Sequence, residues 1–460
     1  MSKDTSIDIA ELIERQPIGR FAIGLIVACW LVTFFDGYDM TVIAFTAKPL
    51  THAFALSKPM LANVFASGVF GTVVGGLSFG WLGDLIGRRT AIVISTSAFG
   101  VLTLAVALAQ SYPQLLALRF IDGVALGGAI PLVWALAVEC VPKRFRARVV
   151  TLIMLGYGFG ASLSGPLARG LIPHYGWQGV FLFGGAASIT ATVLLFIFLP
   201  ESLRFLVTSG ASAARIERVI RRLAPAATIP PGAAFHLSDE TAARQKVPFA
   251  KLFQGELMAI TPLLWLTYVA SSVAAYFMST WGPLVLEELG FSADHAAWLA
   301  AANSICGALG GLAIMRFTDR WGPLSIAILP AVAAPLLLIA GLVPMGLSVF
   351  LVLSLVLSLF LGGGQYAIQS IVSAFYPSAL RASGSGWAGS VAKIGGIAAP
   401  LLGGVIQSTS LPVKTTYALL AACPAVYLIC VVSIGLIDRR MRREAAAAPA
   451  PAAQRAVAAE

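Results

Sequence analysis

Long apolar stretches separated by short polar connections dominate the pattern of this chain. A helix needs ~20 mostly apolar residues to cross the hydrocarbon core of a bilayer. The pattern predicts twelve such helices, at about 20–48, 58–83, 90–110, 113–141, 147–172, 177–200, 257–289, 294–317, 323–343, 346–376, 383–409 and 414–437. The predicted fold class is therefore an all-α membrane protein with twelve transmembrane helices in two six-helix halves.

Polar segments set the predicted domain boundaries. These are a polar N-terminal segment at 1–19, a six-helix bundle at 20–200, a polar loop at 201–256, a second six-helix bundle at 257–437 and a tail at 438–460. The tail is rich in Ala and Pro and is predicted to be disordered. Within the loop, IERVIRRLA (216–224) could form a short amphipathic helix against the membrane surface.

Composition agrees with a membrane protein and argues against an enzyme. Of 460 residues, 58% are hydrophobic and only 11% are charged, whereas soluble domains are about one quarter charged. The five cysteines fall in or beside apolar segments and have no metal-ligand spacing. We therefore predict no metal and no cofactor, and find no nucleophile–base set that would indicate catalysis.

The net charge of +10 points to a membrane orientation rather than to nucleic acid. Connections on one side carry most of the basic residues, namely Arg88, Arg89, Lys143, Arg144, Arg146, Arg148, Arg316, Arg320 and Arg381. The other side carries little beyond Lys48, Lys58, Arg169 and Lys414. The positive-inside rule predicts that the basic side is cytoplasmic. Both termini then lie inside, because the number of predicted spans is even.

Two carboxylates interrupt the first apolar stretch, in FFDGYDM (34–40). A carboxylate at the bilayer centre costs ~2.5–3.5 kcal/mol on insertion scales, so intramembrane acids usually mark a transport pathway. Asp36 and Asp39 are three residues apart and share a helix face. They are candidates for a proton or substrate site, with a structural ion pair between two helices as the alternative.

The sequence GWLGDLIGRR (80–89) lies between the second and third predicted helices and is echoed by MRFTDRWG (315–322) in the second half. It resembles the GxxxDxxGRR signature of the major facilitator superfamily. The resemblance implies a conformational gate formed by Gly80, Asp84, Gly87, Arg88 and Arg89, with Asp319 and Arg320 as the counterpart. In it, Asp84 caps a helix and pairs across the interface between the halves. Simple membrane anchoring by the arginines is the alternative.

Further motifs resemble the aromatic acid:proton symporters of the 4-hydroxybenzoate and benzoate type. They are DGYD (36–39), RFIDGVALGG (119–128), the ExxPxR exit with Glu139 and Arg144, PESLRFL (200–206) and YPSALRASGSGW (376–387). The resemblance implies a monomer that imports an aromatic carboxylate together with protons by alternating access. Its partners would be that small acid and the lipid bilayer, with H+ as the coupling ion and no nucleic acid.

Helix geometry places the acids of the first helix near a basic residue of the fourth. At 1.5 Å per residue, Asp36 and Asp39 lie ~24–29 Å from the inner face, and Arg119 and Asp122 ~9–14 Å from the outer face. We expect Arg119 to pair with Asp36 or Asp39. Three acids against one arginine leave surplus negative charge, which suits a proton carrier, although a static salt-bridge cluster has the same composition. Asp122 departs from the family pattern.

Lys393 lies ~18 Å along the eleventh helix, near the membrane centre. It stands where the resemblance leads us to expect an arginine, and a lysine keeps the charge but loses the planar fork. We predict that it binds the substrate carboxylate; the alternative is an acid of the other half. The other predicted substrate-binding residues are Gln365, Tyr366, Tyr276, Phe277, Tyr157 and Trp387. For any single aromatic, core packing is the alternative.

Rival functions remain open at this point. The Gly-Pro pair in GYGFGASLSGPLARG (156–170) resembles an antiporter motif, although Arg169 stands in place of a glycine, and it would indicate proton-driven efflux. An importer of non-aromatic organic acids is a second alternative. A sensor would need a sizeable soluble output domain, and the loop at 201–256 is too short to provide one.

Overall fold

The computed structural model describes residues 6–16, 19–225, 227, 229–230, 233–237, 249–376, 378–409 and 411–447. The first part contains strand β1 (Ser6–Asp8) and helices α1 (Ile9–Glu14), α2 (Arg20–Phe45), α3 (Ala47–Phe54), α4 (Lys58–Ile86), α5 (Arg88–Val106), α6 (Tyr112–Glu139) and α7 (Lys143–Phe198). The central connection contains α8 (Leu203–Thr208), α9 (Ala213–Leu223) and strand β2 (Ala234–His236). Helices α2 to α7 form the N-half. Strands β1 and β2 and helices α1, α8 and α9 are attached to it.

The C-half follows the same plan. Its helices are α10 (Leu257–Glu288), α11 (Ala293–Trp321), α12 (Ile328–Leu342), α13 (Leu347–Phe375), α14 (Ser378–Ser408), α15 (Thr415–Leu420) and α16 (Ala422–Ala447), with 3-10 turns at Phe249–Phe253 and Pro323–Ala327. Helix α16 continues to Ala447, so the first ten residues of the predicted disordered tail are helical. Residues 448–460 lie outside the described part of the chain.

Eleven helices in the described residues are long and apolar enough to cross a membrane. The longest, α7, has 56 residues, which is far more than one crossing needs. It breaks at Gly176, where φ is 64° and ψ is −174°, a conformation that glycine adopts without strain. Because α7 therefore holds two of the predicted crossings, the prediction of an all-α membrane fold with two helical halves is confirmed.

The two halves share one apolar core at one end of the bundle and have separate cores at the other. We call the end with Arg88, Arg89 and Lys143 the basic end. A single cluster at the opposite end joins side chains of both halves, including Phe65 and Trp281. Near the basic end one cluster belongs to the N-half and another to the C-half. The halves are thus in contact at the opposite end and separate toward the basic end.

Helices α4 and α14 face each other, and their glycines show the same change from contact at the opposite end to separation toward the basic end. Toward the opposite end, Gly404 packs against Ala62 and Gly396 against Val69. Toward the basic end, a Cβ at Gly80 or at Gly386 would meet nothing within 4 Å. Close helix contact through glycine is common in membranes, and here it holds the halves together over only part of their length.

Three ion pairs connect the halves at the opposite end, and we call them the ionic clasp. Lys48 pairs with Glu287, Lys58 with Glu288 at 2.5 Å, and Arg169 with Asp294. Every base comes from the N-half and every acid from the C-half. Exposed pairs contribute ~0–1 kcal/mol each, but three pairs of the same polarity define one relative position of the halves. Arg169, which departed from the antiporter motif, belongs to this clasp.

A small subdomain covers the basic end of the N-half. Strand β1 pairs in parallel with β2, so the N-terminal segment joins the central loop. Ile9 of α1, Leu206 of α8 and Ile216 and Ile220 of α9 form its apolar core. The predicted short amphipathic helix is thus present as α9, but its apolar face packs against protein and not against the membrane surface. The carboxylate of Glu14 also accepts the backbone N–H of Lys143 at 3.1 Å.

Candidate transport site

A buried triad of charged side chains links α2 to α6. Arg119 Nη1 donates to both carboxylate oxygens of Asp39 at 3.0 Å and to Asp122 Oδ2 at 2.9 Å. All three side chains are at most 3% exposed. Removing one partner from such a buried pair leaves an uncompensated charge, which costs ~3–5 kcal/mol. The predicted pairing of Arg119 with an acid of the first helix is thus made with Asp39.

The surroundings of the triad fix its geometry but do not neutralise it. Thr103 Oγ1 donates to Asp122 Oδ1 at 3.2 Å, and the Phe181 ring centre lies 5.9 Å from the Arg119 guanidinium carbon. Arg119 Nε has no hydrogen-bond partner among the described residues. With both acids ionised, the triad carries one net negative charge in a site that excludes water. Asp122 is therefore part of the charge network, although the sequence resemblance gave no reason for an acid there.

Asp36 lies outside the triad. Its side chain is 5% exposed, and within the described residues it has no hydrogen bond or ion pair. Lys393 and Asp39 are the charged groups that act on it electrostatically. Asp36 and Asp39 thus differ in role although they share a helix face, because Asp39 is paired with Arg119 and Asp36 is not.

Close packing of α2 against α7 puts Asp36 beside Tyr157. A Cβ at Gly37 would overlap the backbone of Tyr157, and a Cβ at Gly160 would overlap the carbonyl of Phe34. The two helices can approach to backbone contact only because these positions are glycine. Gly37, between the two acids, is therefore a packing requirement of the DGYD segment.

Lys393 reaches across the interface between the halves. It is half-buried on α14, and its Nζ donates to Thr72 Oγ1 of α4 at 3.2 Å. Among the described residues it has no acidic partner within ion-pair distance. A buried cation normally has a counter-ion because desolvation is costly. Lys393 is therefore the cation in this site that is open to an anion from outside the protein.

Three tyrosines converge near Lys393 and Asp36. Tyr157 of the N-half lies within electrostatic range of Asp36 and of the phenol groups of Tyr276 and Tyr366. A Cβ at Gly158 would lie 3.8 Å from the hydroxyl of Tyr366, and one at Gly396 would lie 3.3 Å from the Tyr276 ring. The phenol rings come from both halves, so a ligand between them would contact both halves.

Of the other three predicted substrate-binding residues, two lie away from Lys393 and the tyrosines, and the third is hydrogen-bonded within the C-half. Phe277 is buried in the apolar core at the opposite end. Trp387 is 46% exposed and its ring centre lies 4.7 Å from that of Phe249 in an aromatic cluster. We therefore assign neither to the site. Gln365 accepts a hydrogen bond from Ser271 at 2.8 Å and donates to Ser272 at 3.5 Å, both within the C-half.

The predicted gate residues form a network at the basic end of the N-half. Arg88 pairs with Glu139 and lies 3.6 Å from Asp84, and Ser202 donates to Glu139 at 2.5 Å. Gly87, with φ of 99°, makes the turn before α5. Arg144 is exposed and its guanidinium carbon lies 4.9 Å from the Phe145 ring centre.

Two expectations for Asp84 are not met in this conformation. The helix N-terminus after the turn is capped by Glu201, whose Oε1 accepts the backbone N–H of Arg89 at 3.0 Å. A carboxylate there gains from the helix dipole, but it comes from the PES segment and not from Asp84. Asp84 is 76% exposed and pairs within its own half. Arg320 is exposed, and the side chain of Asp319 lies outside the described residues.

Trp281 lies inside the closed end of the bundle. It is fully buried, its Nε1 donates to the Pro400 carbonyl at 3.1 Å, and its ring packs edge-on against Phe65 of the other half, with the ring centres 5.5 Å apart.

Thr72 and Thr103 were not predicted as site residues from the sequence, because an isolated threonine in an apolar helix carries no distinguishing signal. In the part of the chain that the structure describes, no cluster of three His, Cys, Asp or Glu side chains is placed to hold a metal.

Comparison with known proteins adds family evidence. The model of the Major Facilitator Superfamily matches residues 29–400 and 263–459. The gallate transporter of Pseudomonas putida is 32% identical over 91% of this chain and 92% of its own length. The 4-hydroxybenzoate transporter PcaK of Pseudomonas aeruginosa is 30% identical over 87% and 89%. The inward open xylose transporter XylE of E. coli superposes with a TM-score of 0.72 at 16% identity, covering 90% of this chain and 95% of that one.

Proposed function

Because the chain belongs to the Major Facilitator Superfamily and is a multi-pass membrane transporter rather than an enzyme, we propose that it imports aromatic carboxylic acids together with protons. The substrate would bind between the halves, which rock around it in alternating access. The named relatives at 30–32% identity transport gallate and 4-hydroxybenzoate, which supports a ring-bearing acid as substrate.

The observation that carries this proposal is the Lys393 ammonium, which has no acidic partner among the described residues and lies in an interface where tyrosines of both halves meet. An ammonium binds a carboxylate through a charge-assisted hydrogen bond, which is about twice as strong as a neutral one. The phenol rings can pack on an aromatic ring and present hydroxyl groups to its substituents. A ligand with a ring and a carboxylate satisfies both features, whereas a sugar or a cation would leave the ammonium without a counter-ion.

Proton coupling follows from the charges on α2. Asp39 and Asp122 share one arginine, and Asp36 has none. A substrate carboxylate that approaches Lys393 adds a further negative charge near Asp36, and like charges favour protonation of one of them. We propose that Asp36 or Asp39 takes the coupled proton and that Arg119 sets how readily it does so.

Energetics favour co-transport with a proton over uptake of the bare anion. Moving one negative charge into a cell against the membrane potential costs ~2.3 kcal/mol per 100 mV. One proton per monovalent carboxylate cancels this cost, so the pH gradient alone drives uptake. A second proton would make transport electrogenic.

We further propose that the basic end faces the cytoplasm of a bacterial inner membrane, with both termini inside. The halves then stand in an inward-facing arrangement, closed outside by the ionic clasp and Trp281. In the outward-facing arrangement the basic ends come together and the exposed Asp84 finds its partner across the interface. The transporter would act as a monomer, because the site is complete within one chain.

The proposed function is tested by uptake into proteoliposomes with an imposed inward proton gradient. The panel contains benzoate, 4-hydroxybenzoate, gallate, a phenylpropanoid and a dicarboxylate, with protein-free liposomes as control. We expect gradient-dependent accumulation of ring acids that an uncoupler abolishes. Accumulation of the dicarboxylate alone would indicate a non-aromatic importer, and accumulation only under the reversed gradient would indicate an antiporter.

Reversing charges in the ionic clasp should open the outer end. Lys48→Glu with Lys58→Glu places like charges opposite each other, so we expect the outward-facing population to rise about 2- to 30-fold, given ~0.2–1 kcal/mol for each of the two pairs. The measurement is the distance distribution between spin labels at the exposed positions Ala53 and Ala293 in a cysteine-free background. Adding Glu287→Lys and Glu288→Lys should restore the short distance. Equal distributions in all three proteins would show that the clasp does not hold this end closed.

A further inference from the structure

A hydrogen bond between the two halves holds Lys393, the cation of the candidate site that has no acidic partner among the described residues. Lys393 Nζ on α14 donates to Thr72 Oγ1 on α4 at 3.2 Å. The Thr72 hydroxyl in turn donates to the Val69 carbonyl at 2.8 Å. Because its own hydrogen is used on the backbone, the hydroxyl oxygen presents a lone pair to the ammonium.

The position of Thr72 is fixed by close packing within the N-half. Its side chain is 6% exposed, and a Cβ at Gly127 of α6 would overlap the backbone of Thr72. Well-packed positions of this kind cannot relax to follow a moving partner. The hydroxyl is therefore a rigid anchor on one half for a flexible side chain on the other.

Without this anchor, the ammonium would have a stronger attraction nearby. Asp36 carries no ion pair in the described structure and lies within electrostatic range of Lys393. An ion pair between them would be stronger than a bond to a neutral hydroxyl, yet the structure places Lys393 on Thr72. The geometry thus keeps the cation and the acid apart.

We propose that Thr72 is a positioning residue, which holds the Lys393 ammonium in the interface away from Asp36 and so keeps it available for the substrate carboxylate. The inference rests on the proposed function, since it assigns Lys393 to substrate binding. It adds that affinity depends on a threonine that does not touch the substrate. Since the bond also bridges the halves, occupation of Lys393 is linked to their relative position.

The test compares Thr72→Val, which removes the hydroxyl at nearly constant volume, with Thr72→Ser, which keeps it. Loss of a hydrogen bond to a charged group should raise the KM for uptake of 4-hydroxybenzoate and gallate about 10-fold or more in Thr72→Val, with Vmax changed less than about twofold. Thr72→Ser should restore a KM near that of the wild type. The matched control is Thr96→Val, which removes a buried threonine hydroxyl of the N-half that donates only to backbone carbonyls.

Equilibrium binding of 4-hydroxybenzoate to purified protein separates positioning from packing. In the double variant Thr72→Val with Asp36→Asn, the competing acid is gone, so the loss of affinity caused by Thr72→Val should largely disappear. Additive losses, an unchanged KM in Thr72→Val, or equal defects in Thr72→Val and Thr72→Ser would each overturn the inference. If Thr72→Val does not reach the membrane, Thr72→Ala replaces it with the same expectation. Absence of ring-acid uptake by the wild type would instead refute the proposed function.

Discussion

Replacing Asp39 by asparagine should abolish accumulation of substrate driven by a proton gradient while leaving the protein folded and able to bind. The asparagine side chain cannot take up or release a proton, but Arg119 keeps Asp122 as a counter-ion at 2.9 Å. The triad then becomes neutral instead of carrying one negative charge, so no buried charge is left without a partner. We expect uptake to fall to the level that an uncoupler produces in the wild type.

Substrate exchange provides the readout that distinguishes coupling from misfolding. Exchange of labelled for unlabelled ring acid across the membrane needs no net proton movement, so it should survive in Asp39→Asn. Asp39→Glu is the matched control, since it keeps a titratable carboxylate and should retain part of the accumulation. Wild-type accumulation in Asp39→Asn would remove Asp39 as the proton carrier and direct attention to Asp36→Asn in the same assay.

Replacing Lys393 by alanine should weaken carboxylate binding about 10- to 100-fold, because it removes a charge-assisted hydrogen bond of ~1.5–3 kcal/mol. Folding should be spared, since the described partner of Lys393 is the neutral hydroxyl of Thr72 and its loss breaks no ion pair among the described residues. The measurement is equilibrium binding of 4-hydroxybenzoate and gallate to purified protein.

Lys393→Arg is the control for charge at this position. Arginine keeps the charge and adds a planar fork that can bind a carboxylate in bidentate fashion, so affinity should be retained or increased. Loss of binding in both variants would mean that the size of the side chain matters more than its charge. Unchanged affinity in Lys393→Ala would exclude Lys393 from the substrate site.

The sequence predicts the membrane helices well because crossing a bilayer imposes a strong, local requirement for apolar residues. It predicts the halves for the same reason, since the polar loop at 201–256 interrupts that pattern. It does not predict the pairing of Ser6–Asp8 with Ala234–His236. That contact joins segments more than two hundred residues apart, and a three-residue strand has no periodicity of its own.

Within the site, sequence reasoning identified charged residues more reliably than aromatic ones. An intramembrane charge is costly, so Asp39, Arg119 and Lys393 stand out wherever they occur. An aromatic residue in a helix that is apolar all round gives no signal about the face it occupies. Tyr276 and Phe277 are neighbours in sequence, yet one lies beside the candidate site and the other in the core.

The sequence also does not determine which acid pairs with Arg119 or how the two halves are positioned relative to each other. Helix spacing allowed Arg119 to pair with Asp36 or Asp39, and only the rotation of α2 against α6 selects Asp39. The assignment of the ionic clasp needs the distance between the halves, although all six of its residues are visible as charges near predicted helix ends. Asp84, by contrast, is exposed here and pairs with Arg88 of its own half, so the proposed contact across the interface is not part of this conformation.

The most direct test of proton-coupled uptake is the movement of protons caused by substrate itself. Ring acid is added to lightly buffered proteoliposomes without an imposed gradient, and external pH is recorded, with protein-free liposomes correcting for passive diffusion of the acid. We predict a substrate-dependent rise in external pH in the wild type and none in Asp39→Asn. A fall in external pH, or transport of the acid with no proton movement at all, would contradict proton-coupled uptake.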